Sequence, residues 1–308
     1  MHTRTWNVLN VFERPIKGEE IRLVDTPMVT PAGMDELLQA NWDAQLKKKQ
    51  ADLAAQGINT EIRQHYQGGE LAALHEGDKP KMWPGPAVTL RDVQPRNAGI
   101  DLLVSQTSFP AIDALKDKTF SELYETQGIT KPRPALAICT YAITTDGMLA
   151  LTVRGARTNM YPGRLYGQGG NPRSTNTNVV EHQKAENKDE ILVQDNEYPV
   201  NGGRGFWFGG IVEDNEQLPR KTDLVGWCYL NIDSKTLKGR SYERPMEKRP
   251  NDAVGIVFAP AKEGPLLDYL TKTTHPVQFC PPAHAGLVVY GLHKFGNEWA
   301  QNVIKKIE

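Results

Sequence analysis

Three acidic residues, Glu186, Asp189 and Glu190, stand at i, i+3 and i+4 within the run 181–190. On a helix this spacing puts all three carboxylates on one face. Carboxylates so arranged repel one another unless a cation sits among them. The run also carries Lys184, Lys188 and His182, and a dense mixture of charge is equally the mark of a solvated helix face. Upstream lies Gly167-Gln168-Gly169-Gly170, rich in glycine but without the GxGxxG spacing or the Lys-Ser/Thr of a phosphate-binding loop. No GxSxG elbow occurs. The seven histidines form no HExxH and no i, i+4 pair, and His284, beside an apolar run, reads as a packing residue. Cys139, Cys228 and Cys280 sit among apolar and aromatic neighbours with no CxxC pair, as expected of reduced, buried thiols rather than a zinc site or a nucleophile.

The elements that must position these groups follow from periodicity. Residues 135–144 form an apolar, partly β-branched run, as expected of a central strand covered on both faces. Thr145-Asp146-Gly147 is a hairpin turn and 148–153 the return strand. An irregular stretch, 155–178, leads to a polar helix at 179–192. Further strands are expected at 206–212, 224–232 and 254–258, and helices at 265–271 and 297–307.

The first part of the chain reads as strands at 5–12 and 21–24. A helix follows, with Thr30 as its cap, Pro31 in its first turn and Gly57 at its end. Met34, Leu38, Trp42, Leu46 and Leu53 form its apolar stripe. Residues 65–86 read as a loop or linker, 87–93 and 100–107 as strands and 120–127 as a short helix. Lys131-Pro132-Arg133-Pro134 marks a boundary. The expected division is an N-terminal extension at 1–130 and a second domain at 131–308.

Composition bounds the function classes. The chain has 308 residues, 36 Lys plus Arg against 37 Asp plus Glu, 39% hydrophobic and 24% charged residues. A core of ordinary size is expected, and a net charge of -1 argues against a nucleic-acid footprint. No apolar window is long enough for a membrane span, and the opening residues carry no signal-peptide pattern. The expected location is the cytoplasm.

The order of the motifs resembles the Nudix hydrolase superfamily. There a strand, an Asp-Gly turn and a second strand lead through an Arg-containing segment and a Tyr-Pro-Gly-like turn to Gly-Gly and the Nudix helix. Here the string runs 135–144, Asp146-Gly147, 148–153 and Arg154, then Tyr161-Pro162-Gly163 and Gly169-Gly170-Asn171-Pro172. The likeness covers roughly residues 83–299 and is most specific over 135–172. It implies an α/β (α+β) fold with a mixed sheet between helices. It also implies Mg²⁺- or Mn²⁺-dependent hydrolysis of a nucleoside diphosphate linked to another moiety, with a small-molecule nucleotide as substrate.

The family's box reads G-x5-E-x7-R-E-U-x-E-E-x-G-U. Its best register places Glu186, Asp189 and Glu190 on the metal-ligand positions, with Glu190 the residue whose loss should cost most activity. Arg154 and Arg157 are placed for phosphate, and Gly169 and Gly170 for the loop beside it. Tyr161 is placed either to stack on a base or to pack beneath the loop. The box departs from the pattern: Ala185 stands for its Arg, Asn187 for its apolar position, Leu192 for its glycine and Thr177 for its first Glu. A second expectation therefore stands beside the first: a catalytically inactive pseudo-Nudix chain without metal, serving as a binding or scaffold protein for an unidentified protein partner.

Overall fold

In a computed structural model of the chain, the structure describes residues 5–55, 86–115, 117–132, 134–155, 161–199, 205–216, 221–243, 253–271 and 279–307. The 65–86 linker lies outside these residues up to Pro86, as do Arg157 and the expected helix end at Gly57.

The strands, in chain order, are β1 (Trp6–Lys17), β2 (Ile21–Asp25), β3 (Pro86–Arg96), β4 (Gly99–Ser108), β5 (Leu136–Ile143), β6 (Met148–Arg154), β7 (Leu165–Tyr166), β8 (Gln168–Gly170), β9 (Phe206–Asp214), β10 (Thr222–Tyr229) and β11 (Ala253–Pro260). The α-helices are α1 (Met34–Ala55), α2 (Phe109–Ala114), α3 (Lys118–Thr126), α4 (Val179–Ile191), α5 (Ser234–Glu243), α6 (Glu263–Thr271), α7 (Pro281–Phe295) and α8 (Asn297–Ile307). The fold is α+β. A mixed sheet in the order β1-β9-β10-β5-β6-β11 forms its centre, and β2, β4 and β3 make a second, small sheet.

β5 is buried along its whole length, as its unbroken apolar run requires. Leu136, Ile138 and Ala142 enter one core, shared with Val179 and Ile191 of α4 and with Val88, Leu90 and Leu102 of the small sheet. Tyr141 and Ile143 enter a second core on the other face, against α6, α7 and α8. The alternation is that of any strand, and here both faces are covered. β1 pairs with β9 at the edge of the large sheet. Residues before and after the expected boundary near 131 thus share one core.

β5 and β6 meet only next to their Asp-Gly turn, at Ile143 and Leu149. Beyond it they splay, and β7 and β8 fill the wedge. β7 pairs with β6, while β8 pairs with β5 through Gly170↔Ile138, Gly169↔Cys139 and Gln168↔Thr140. The expected irregular stretch therefore holds two short strands in the centre of the sheet.

Several helices differ from expectation, and α2 and α5 lie where none was expected. α1 begins at Met34, after a turn in which Met34 N–H reaches the Pro31 carbonyl and Gly33 takes a positive φ of 77°. Of its expected stripe, Met34, Trp42 and Leu46 are buried and Leu38 is half-buried, while the Leu53 side chain lies outside what the structure describes. α7 has no expected counterpart. Pro281 and Pro282 open it, a good start signal, but it is buried nearly all round and shows no amphipathic period. A Cβ on Gly291 would meet the Trp299 ring at 1.9 Å, which explains glycine at that crossing.

His284 of α7 stacks on Phe279 at 5.3 Å and meets Trp6 edge-on at 6.1 Å, while its Nε2 has no hydrogen-bond partner among the described residues. Burial lowers its pKa to about 4, against a hydrogen bond to the Leu270 carbonyl that pulls upward. The unfolded imidazole titrates near 6.5. Between these values the unfolded chain binds a proton that the folded chain does not. Stability is therefore full above pH 6.5, falls as pH drops towards 4 and then flattens, by up to about 3 kcal/mol. Urea titrations of wild type and His284→Gln across this range should show a smaller fall in the variant. An equal fall contradicts the assignment.

Candidate functional site

The site is built on α4. The Asn178 side chain starts the helix by accepting the N–H groups of Val180 (3.0 Å) and Glu181 (3.1 Å). The helix ends at Leu192, which adopts the left-handed conformation (φ 63°, ψ 29°). Non-glycine residues seldom occupy it, and Leu192 stands where the box pattern has glycine.

The buried stripe of α4 is Val179, Gln183, Asn187 and Ile191. Its middle is polar. Gln183 Nε2 donates to the Gln168 carbonyl at 2.8 Å and to Asn187 Oδ1 at 3.1 Å, and Asn187 Nδ2 donates to the Tyr198 hydroxyl at 3.1 Å. Buried amides are tolerated when bonded in this way. The helix is thus docked on β8 by hydrogen bonds, a contact no apolar stripe announces.

This docking turns Glu186 and Glu190 onto β8. Glu190 Oε2 accepts the Gly169 N–H at 3.1 Å. The Glu186 carboxylate lies over Gly170, where a Cβ would come within 2.5 Å of its Oε1. His182 Nε2 donates to the Gly170 carbonyl at 3.2 Å and lies 3.8 Å from Glu186 Oε1. Burial lowers the His182 pKa and the Arg173 charge adds to this, against the bond to Gly170. A neutral imidazole results at physiological pH. Asp189 is exposed. Of the three acids, the structure brings Glu186 and Glu190 together over Gly169 and Gly170.

Among the described residues, no group of three or more His, Cys, Asp or Glu side chains is arranged to hold a metal. Mg²⁺, however, is commonly held by one or two carboxylates, with water and phosphate oxygens completing its shell. The Glu186–Glu190 pair, at i, i+4 on the helix face over β8, fits that mode of binding.

Arg154 ends β6 with its guanidinium 5.2 Å from the centre of the Tyr166 ring. Tyr161 is 5% exposed. Its hydroxyl donates to Asp214 Oδ2 at 2.5 Å, and Arg164 lies 4.8 Å above its ring. Arg164 in turn grips Glu216 through two bonds of 2.8 and 2.9 Å. These contacts fit the reading in which Tyr161 packs beneath the loop.

Sequence reasoning missed a buried polar cluster beside Arg154. The Tyr166 hydroxyl donates to Asp223 Oδ2 and accepts from Lys221 Nζ at 2.6 Å. Lys221 Nζ also lies 3.6 Å from Asp223 Oδ1, and Asp223 is fully buried. The one available signal was an aspartate heading the apolar run of β10. Its partner is 57 positions away, beyond the reach of spacing.

The three thiols are free and buried, as expected. Burial pushes Cys228 and Cys280 up to about 12 and raises Cys139 well above its usual range. A thiol reagent at pH 8 should label none of them until denaturant is added. Stoichiometric labelling within minutes in native buffer contradicts this. A scan against family models and a search of curated proteins find no match to this chain.

Proposed function

We propose that the chain is a Nudix-type hydrolase that cleaves a nucleoside diphosphate linked to another moiety with the help of Mg²⁺ or Mn²⁺. The observation that carries the reading is the placement of Glu186 and Glu190 over the Gly169-Gly170 strand. The left-handed Leu192, at the box glycine, supports the same register. When bound, the cation would neutralise phosphate charge and acidify a water. Glu186 and Glu190 would hold it. The Gly169 N–H fixes the Glu190 carboxylate in advance, so little ordering is left to do on binding. His182, tied to the Gly170 carbonyl, packs beside Glu186. Arg154, packed on Tyr166, offers a guanidinium to a phosphate in both ground and transition state.

A second reading is an inactive Nudix-like binding protein. It is favoured by Ala185, exposed where the box has Arg, and by the exposure of Asp189. A screen of nucleotide sugars, dinucleotides and nucleoside triphosphates with Mg²⁺ and Mn²⁺ separates the two. Under the first reading at least one is cleaved, and Arg154→Ala chiefly raises its KM. Cleavage of none, with no thermal protection by either ion, favours the second.

A further inference from the structure

At the other end of β5 from Gly169 and Gly170 lies a cavity of about 520 Å³. It opens beside the Asp-Gly turn, where Ile143, Thr144 and Gly147 line it. Trp207, Trp227 and Tyr229 form its aromatic walls. The sheet builds these walls directly. Lys17 of β1 is the register partner of Trp207 in β9, and Trp207 is the partner of Trp227 in β10. Residues in one such row share a face of the sheet. Pro15, which also lines the cavity, falls within the register shift of β1 between Val11 and Ile16.

Two ammonium groups attend the aromatic walls. Lys17 Nζ lies 5.7 Å from the centre of the Trp207 ring. Lys294 Nζ lies 5.4 Å from that of Trp227 and donates to the Tyr229 hydroxyl at 2.8 Å. No carboxylate is among the lining residues. Aromatic walls with a few polar groups are typical of small-molecule sites, and the volume falls within their usual range.

We propose that this cavity binds a planar aromatic anion. Its ring stacks on Trp207 and Tyr229, and its negative group lies between Lys17 and Lys294. The site uses neither Glu186 nor Glu190, so it stands whether or not the chain hydrolyses diphosphates.

The test uses the full chain and three probes: 2-naphthoate, its neutral counterpart 2-naphthamide, and acetate, which has no ring. Calorimetry should show 2-naphthoate binding, with affinity at least about tenfold lower for 2-naphthamide and no detectable binding of acetate. Lys294→Met and Trp207→Ala should each weaken 2-naphthoate by at least about tenfold. Lys294 is exposed, so Lys294→Met tests the site even if Trp207→Ala misfolds. The proposal is overturned if 2-naphthoate fails to bind at millimolar concentration. It is equally overturned if 2-naphthamide binds as tightly or if Lys294→Met leaves affinity unchanged.

Discussion

Glu190→Gln is expected to lower metal-dependent diphosphate hydrolysis by about 100-fold or more, because it removes a negative ligand from a hard cation that stabilises transition-state charge. The substitution is nearly isosteric. A glutamine carbonyl can still accept the Gly169 N–H, the bond that Glu190 Oε2 makes at 3.1 Å. Tm should therefore move by less than about 3 °C, the equivalent of ~1 kcal/mol. Kinetics under saturating Mn²⁺, with a thermal melt of each protein, check both halves. A fall in kcat of less than about tenfold removes Glu190 from the proposed site. A large loss of Tm makes it a structural residue instead.

Adjacent glycines should respond to alanine in opposite ways. At Gly169 a Cβ would stand 2.2 Å from the Ile138 carbonyl oxygen and 2.8 Å from the Cys139 Cα. Both obstacles are backbone of the central strand β5, which has nowhere to go. Gly169→Ala must push β8 out of the wedge between β5 and β6, at a cost of about 3 kcal/mol or more. At Gly170 the nearest atoms are those of the Glu186 carboxylate, at 2.5 to 3.0 Å. The end of a side chain can swing away, so Gly170→Ala should cost less than about 1 kcal/mol in stability. It should nonetheless displace Glu186 and weaken Mn²⁺ binding by at least about tenfold, since carboxylate geometry governs affinity for such ions. Urea unfolding and a Mn²⁺ titration of both variants separate the effects. Equal stability of Gly169→Ala and wild type would show that β8 does not approach β5 so closely.

What could be read in advance was local. The unbroken apolar run of β5 and the Asp146-Gly147 turn each announce themselves within a few residues, and each is where it was expected. The i, i+4 relation of Glu186 and Glu190 is likewise helical geometry alone. Other features needed the third dimension. α4 buries Gln183 and Asn187, whose partners Gln168 and Tyr198 lie outside the helix, so its inner face reads as solvent-facing in sequence. α7 is buried nearly all round and therefore lacks the period that marks a surface helix. β7 and β8 are too short for a two-residue alternation to register. Tyr161 could be read two ways because its partner Asp214 is 53 positions distant. The aromatic cavity joins β1, β9, β10 and α7, and only the register of the sheet brings Lys17, Trp207 and Trp227 into one row.

The central claim is that Glu186 and Glu190, held over Gly169-Gly170, are a divalent-cation site. The most direct measurement is Mn²⁺ binding to the full chain by electron paramagnetic resonance, for wild type and for the double variant Glu186→Gln/Glu190→Gln. One Mn²⁺ per wild-type chain, displaced by Mg²⁺, is expected, with at least about 100-fold weaker binding in the double variant. Absence of Mn²⁺ from the wild-type chain, or equal occupancy in the double variant, would contradict it.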